Sequence, residues 1–102
     1  MLNIEIEDEA SLDMPDAFSP NGDNLNDLIM PDGWGIASIE VFQVFDRQGS
    51  VLWNAKGSKA EVAWDGRYKN KLQPVGTYTY RVVAKTLIGT ELIKTGKFDI
   101  IR

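Results

Sequence analysis

The side chains best suited to chemistry lie in one loop of ten residues, Phe18 to Asp27, with the sequence FSPNGDNLND. Turn-forming residues alternate there with oxygen-bearing side chains, the ligand type that calcium takes from proteins. If Ser19 is the first position of an EF-hand-type loop, oxygens fall at its third, fifth, seventh and ninth positions. They come from the side chain of Asn21, the side chain of Asp23, the carbonyl of Leu25 and the side chain of Asp27. This spacing predicts a weak calcium site.

Two positions depart from the calcium pattern. Asn24 stands at the sixth position, where glycine is usual, and Met30 stands at the twelfth, where a bidentate glutamate belongs. The same residue types also suit a hydrogen-bonded loop, because Asn and Asp side chains accept bonds from nearby backbone amides. The sequence therefore leaves two interpretations open, a calcium site and a network of Asx turns without metal.

Enzymatic chemistry has little support elsewhere in the chain. The sequence contains no histidine and no cysteine, which removes the commonest general base, the usual zinc ligands and any thiol nucleophile. A hydrolase would rely on a carboxylate pair such as Asp23 and Asp27, and no acid partner in an apolar pocket accompanies them. We therefore predict no catalytic residues, and no cofactor other than weakly bound calcium.

Charge is distributed unevenly along the 102 residues. Eleven of the fifteen acidic residues lie in positions 1–46, whereas all eleven Lys and Arg residues lie in positions 47–102. This asymmetry favours either ion pairing between the two halves or a partner that binds one charged face. Apolar runs are far shorter than the ~20 residues of a membrane helix, so no transmembrane segment is expected. An export signal peptide, if the protein is secreted, is expected upstream of residue 1.

The secondary structure expected along the chain is β throughout. Short β-branched and aromatic runs are separated by Gly, Pro, Asn and Asp, and no stretch keeps the apolar spacing of a long helix. The expected strands are Leu2 to Glu7, Ala17 to Phe18 with a partner near Leu28 to Met30, Ile36 to Asp46, Ser50 to Asn54, Glu61 to Trp64, Thr77 to Lys85 and Glu91 to Ile101. About seven strands in about 100 residues predict an all-β fold, an immunoglobulin-like β-sandwich.

Alternation along the strands predicts which side chains form the core. One face of the strand from Thr77 carries apolar side chains, those of Tyr78, Tyr80, Val82 and Ala84. Trp64, before an Asp-Gly turn, is expected to anchor this core, and Tyr78 is expected to form a tyrosine corner. Lys94 interrupts the alternation of the last strand, and Gly96 predicts a bulge there.

A second interpretation of the aromatic residues is a stacking platform for carbohydrate. Its members would be Trp34, Trp53, Trp64, Tyr68, Tyr78 and Tyr80. Of these, only Trp34 is expected to be exposed, because glycines flank it on both sides. On this interpretation the chain is a carbohydrate- or protein-binding sandwich module, since a sandwich fold does not by itself specify a function.

Four segments of the chain carry a family resemblance. They are Met14 to Asp27 (MPDAFSPNGDNLND), Val44 to Trp53 (VFDRQGSVLW), Trp64 to Gly66 with Pro74 to Tyr80 (WDG and PVGTYTY), and Lys94 to Arg102 (KTGKFDIIR). In this order and spacing they resemble the gliding-motility-associated C-terminal domains, the type B sorting domains of the type IX secretion system. Gln48 stands where that family commonly has Trp, and Asn24 where it commonly has Gly.

This resemblance implies a protein-transport role without catalysis. Such a domain directs a larger cargo protein of the Bacteroidetes through the periplasm and outer membrane, by the type IX secretion system, to the cell surface or the medium. The implied partners are components of that machinery at the outer membrane, and no nucleic acid is expected to bind. Residues 14–102 are expected to form the sorting domain. Residues 1–13 are either the end of an upstream segment or a first strand.

Overall fold

A computed structural model of the chain describes residues 10–22 and 27–101. Its elements, in chain order, are β1 (Ser11–Asp13), β2 (Ala17–Phe18), β3 (Asp32–Trp34), β4 (Ile36–Phe45), β5 (Val51–Gly57), α1 (Lys59–Val62), β6 (Arg67–Tyr68), β7 (Lys71–Leu72), β8 (Gly76–Thr86) and β9 (Glu91–Ile100). Five of the strands form one sheet in the order β2-β9-β8-β4-β5. The predicted all-β, sandwich-like fold is confirmed.

Strands β8 and β9 form a long regular hairpin. They pair at ten consecutive positions, from Gly76 opposite Ile100 to Lys85 opposite Glu91, without a register shift. Because side chains of a strand alternate between the two faces of a sheet, every second residue of β8 points into the core. The predicted core set of this strand, Tyr78, Tyr80, Val82 and Ala84, is buried.

The bulge predicted at Gly96 is wrong. Gly96 lies opposite Tyr80 in the unbroken register of β8 and β9. A Cβ atom at this position would lie 2.9 Å from the hydroxyl oxygen of Tyr80, so glycine leaves room for the tyrosine ring. Lys94, which interrupts the predicted alternation, is half-buried and lies opposite Val82. A lysine can bury its aliphatic stem while its ammonium group reaches water.

Strand β4 lies between β8 and β5 in the sheet, and apolar residues on both of its faces suit this central position. Its buried side chains are Ile39, Phe42 and Val44. They do not follow strict alternation because the pairing with β5 shifts register between Ile39 and Phe42. Val41 and Phe45 are half-buried, so the other face of this strand is only partly covered.

The layer opposite the five-stranded sheet consists of short pieces. Strand β1 pairs with β3, and β6 pairs with β7. Ile29 and Trp64 form an isolated antiparallel bridge, in which each backbone N–H donates to the other residue's carbonyl at 2.9 Å. Helix α1 contributes the buried side chain of Val62. These pieces close the core on one face of the sheet.

The strand predicted from Glu61 to Trp64 is wrong, because helix α1 occupies Lys59–Val62 and, of the predicted residues, only Trp64 forms a β-bridge. Ser58 caps this helical turn: its Oγ accepts from the N–H of Glu61 at 3.2 Å, and Oε1 of Glu61 accepts from the N–H of Ser58 at 2.7 Å. This reciprocal capping box has a sequence signature, Ser-x-x-Glu. It outweighs the β preference of the residues that follow.

The first two strands of the described chain, β1 and β2, lie in different layers. Residues of β1 pair with β3, whereas β2 pairs in parallel with the end of β9, Ala17 opposite Asp99 and Phe18 opposite Ile100. The predicted pairing of Ala17 to Phe18 with residues near Leu28 to Met30 is therefore wrong. The strand predicted at Leu2 to Glu7 lies outside the described residues. In the described ranges no helix is long and apolar enough to cross a membrane.

Candidate functional site

Segments that are far apart in the sequence meet around Trp64. This side chain is fully buried, and its indole N–H donates to the carbonyl of Arg67 at 2.9 Å. Its ring centroid lies 6.0 Å from that of Phe18, 6.2 Å from Tyr78 and 6.3 Å from Phe98. Tilted and edge-on aromatic contacts of this kind stabilise a core beyond the area that they bury. The prediction that Trp64 anchors the core is confirmed.

The turn after Trp64 holds the opening loop of the domain. The carboxylate of Asp65 accepts from the N–H of Arg67 at 3.0 Å, which fixes the turn. A Cβ atom on Gly66 would lie 3.1 Å from Cγ of Pro20 and 3.4 Å from Cζ of Phe18. The Phe-Ser-Pro segment therefore packs directly on the Trp-Asp-Gly turn, and any larger residue at position 66 would push the two apart.

Tyr78 forms the predicted tyrosine corner. Its hydroxyl donates to the carbonyl of Pro74, four residues upstream, at 2.6 Å. The ring of Tyr78 stacks on that of Phe98 with the centroids 6.1 Å apart. Tyr80, two residues later, occupies the position at which immunoglobulin domains have a cysteine. Its ring stacks on that of Phe98, with the centroids 6.3 Å apart.

Of the predicted calcium ligands, the structure describes Asn21 and Asp27, whereas Asp23 and Leu25 lie outside the described residues. Oδ1 of Asp27 accepts from the backbone N–H of Asn21 at 3.1 Å and from that of Gly22 at 3.0 Å. These are bonds of the kind expected of an Asx-turn network. Within residues 10–22 and 27–101, no three acidic side chains cluster closely enough to hold a metal. Calcium binding by this loop stays a prediction.

The turn between β4 and β5 is built on Asp46. Its Oδ1 accepts from the N–H of Gln48 and from the N–H of Ser50, both at 2.9 Å. Gly49 has a positive φ of 85°, which glycine adopts without strain. Gln48 is exposed at the tip. The role of Asp46 was not predicted, although an Asp two residues before an exposed turn position is a signal for an Asx turn.

The aromatic residues do not form a stacking platform. Trp64, Tyr78 and Tyr80 belong to the core, with at most 6% of their surface exposed. Trp53 is half-buried, and its indole N–H donates to the carbonyl of Val62 at 2.8 Å. Trp34 is 57% exposed, as predicted, but the expectation that it alone is exposed is wrong, because Tyr68 is 38% exposed. The side chains proposed for carbohydrate stacking therefore mostly stabilise the fold.

One ion pair links the acidic and basic halves of the described chain, between Nζ of Lys59 and Oδ1 of Asp32 at 2.8 Å. The hydrogen bond from Lys59, together with one from the N–H of Gly33, lowers the pKa of the Asp32 carboxyl. No other ion pair occurs in residues 10–22 and 27–101. Among the described residues, pairing between the halves is thus limited to this one contact.

The pKa of Tyr80 is raised, whereas that of Asp32 is lowered. Loss of contact with water raises the pKa of its phenol, and the negative charge of Asp16 raises it further. Both effects disfavour the tyrosinate anion. Tyr80 is therefore held neutral in the core.

These features define a small all-β domain whose motif segments converge on one aromatic core. The type IX secretion signal domain family, CHU_C, matches residues 12–96. The chain belongs to this family, as its four segments predict, and its role is that of a sorting signal for export from the cell. No curated protein matches the chain. The family is one of secretion signals and not of enzymes.

Proposed function

We propose that this domain is a non-catalytic export signal that is recognised as a folded unit by type IX secretion components at the outer membrane. The observation that carries this proposal is the family match over residues 12–96. The packing supports recognition of a folded domain, because Phe18, Trp64, Tyr78 and Phe98 come from distant segments and meet only in the folded core. An unfolded chain would not bring these segments together.

The route that we propose for the cargo has two stages. A signal peptide first directs the precursor into the periplasm, where the domain folds without disulfides, since the chain has no cysteine. The folded domain then brings its cargo to the outer-membrane machinery, and the cargo reaches the cell surface or the medium. We further propose that residues 14–102 form the sorting domain and that strand β1, Ser11–Asp13, is a first strand that packs on it by pairing with β3.

A fusion experiment tests the route. The 102-residue chain is joined to the C-terminus of a reporter with a signal peptide and expressed in a type IX-competent host and in the same host without its translocon. We expect the reporter outside the competent cells and in the periplasm of the deficient cells. Folded, intact reporter in the periplasm of both hosts would overturn the proposal, and reporter outside both would show that another route carries it.

A further inference from the structure

Strand β9 has an edge that the described chain leaves largely unpaired. On one side it pairs with β8 along its whole length, from Glu91 to Ile100. On the other side β2 pairs with only two of its residues, Asp99 and Ile100. We call residues 91–97 of β9 the open edge.

The backbone groups of the open edge point away from the sheet. The N–H of Asp99 donates to the carbonyl of Asp16, and the N–H of Ile101 to the carbonyl of Phe18, both at 2.9 Å. Residues with odd numbers therefore direct their backbone groups toward β2. Because the register is unbroken and backbone direction alternates along a strand, positions 91, 93, 95 and 97 present their N–H and C=O groups in the same direction.

The edge is open because the preceding chain leaves the sheet. Residues Ser11–Asp13 run before β2 and pass close to β9, but their backbone pairs with β3 in the opposite layer. The other edge of the sheet, β5, carries two register shifts against β4, and irregular edges are poor templates for a further strand. The open edge of β9 has no such irregularity, so it is the better template.

The side chains around the open edge are cationic. Lys97 and Arg81 are exposed, Lys94 is half-buried, and Arg81 lies opposite Thr95 in the hairpin. In the described ranges none of the three has an ion-pair partner, because the ion pair there joins Lys59 to Asp32. Arg81, Thr95 and Lys97 also line a shallow groove with Phe45 at its far wall. Glu91 is the one acidic side chain of residues 91–97.

We propose that the open edge binds an extended, acidic strand of a partner protein by adding it to the sheet. Unpaired backbone groups would supply the affinity, and the three cations would select carboxylates. A second copy of β9 is a poor occupant, because antiparallel pairing would bring lysine side chains of the two copies together. That this partner protein belongs to the export machinery rests on the proposed function.

Titration of the whole chain with synthetic peptides tests the binding itself. The first peptide has seven residues, blocked ends and alternating valine and glutamate; a second replaces glutamate with lysine; a third places proline at two central positions. We expect saturable binding of the first only, with protection of the amides of Ile93, Thr95 and Lys97 from hydrogen exchange. Proline lacks the backbone N–H that strand addition requires. Equal binding of the first and third peptides would therefore show that charge attraction alone causes binding, and would overturn strand addition.

Charge-reversal variants locate the site. Lys97→Glu should weaken binding of the acidic peptide by about tenfold or more, because it replaces attraction with repulsion. Lys56→Glu is the matched control, since Lys56 is exposed on the opposite edge strand β5, and it should leave the affinity within about twofold. Equal losses in the two variants, or protection of β5 amides instead of β9 amides, would contradict the assignment.

A comparison of peptide binding with export of the unaltered fusion separates this inference from the proposed function. If the unaltered fusion is exported and the acidic peptide does not bind, the open edge is not the docking site although the export signal is real. If the peptide binds at β9 and the unaltered fusion is not exported, the edge binds acidic strands and the export role fails. Dimerisation of the chain through β9, seen by sedimentation, would also overturn the choice of an acidic partner.

Discussion

The hydroxyl of Tyr78 donates a hydrogen bond of 2.6 Å to the carbonyl of Pro74, which ties the start of β8 to the chain that leads into it. Removal of this bond by Tyr78→Phe should lower the free energy of unfolding by about 1 kcal/mol, because the carbonyl loses its partner while the ring remains. Urea denaturation measures the change. Tyr68→Phe is the control, since Tyr68 is 38% exposed, and a loss as large in that variant would contradict a special role for Tyr78.

Trp64 supplies the strongest test of the core. Trp64→Ala should cost about 3 to 5 kcal/mol, because a large buried ring leaves a cavity among Phe18, Tyr78 and Phe98. Trp34→Ala, at a side chain that is 57% exposed, should change stability by less than about 0.5 kcal/mol. Thermal or urea unfolding of both variants checks the prediction. Similar costs at the two positions would argue against the aromatic cluster as the centre of the fold.

The neutral phenol of Tyr80 predicts a loss of stability in alkali. Burial raises its pKa above the ordinary value of 10.0, so the folded state holds this proton more tightly than the unfolded state does. The stabilisation is fully present below pH 10 and is lost as the pH rises through the folded-state pKa. Urea denaturation on either side of pH 10 measures the loss, which should be smaller in Tyr80→Phe. An unchanged alkaline loss in that variant would show that other groups cause it.

The loop around Asp23 and Asp27 is tested by calcium itself. If it binds calcium with a dissociation constant of about 0.1 to 1 mM, a hundredfold excess over that constant should stabilise the fold by about 2.7 kcal/mol. Magnesium should do less, because it requires a tighter octahedral shell. Thermal melting checks this, with Asp23→Asn expected to reduce the calcium effect and Asp13→Asn to keep it. Equal effects of the two metals would favour the Asx-turn interpretation.

The regular parts of the fold were predictable because their signals are local. Alternation along the strand from Thr77 identified the buried face of β8. The capping box of Ser58 and Glu61 was equally local, yet the apolar residues that follow it favoured a strand. Its signature, Ser-x-x-Glu before Val62, would have corrected the prediction.

Other parts depend on contacts between distant segments. Nothing in Ala17 to Phe18 indicates that it pairs in parallel with Asp99 and Ile100, because a two-residue strand carries no register signal of its own. The open edge of β9 depends on this choice and on the pairing of β1 with β3. The bulge wrongly predicted at Gly96 has the same origin, since the close approach of Tyr80 is a tertiary contact.

The central claim, that this chain is a sufficient export signal, is tested most directly by the fraction of a periplasmic reporter that leaves type IX-competent cells with and without the chain fused to it. We predict that the fusion carries the reporter outside and that the reporter alone stays in the periplasm. The Trp34→Ala fusion, which keeps the core, should be exported like the unaltered fusion. Folded and intact fusion protein that stays in the periplasm to the same extent as the reporter alone would contradict the claim.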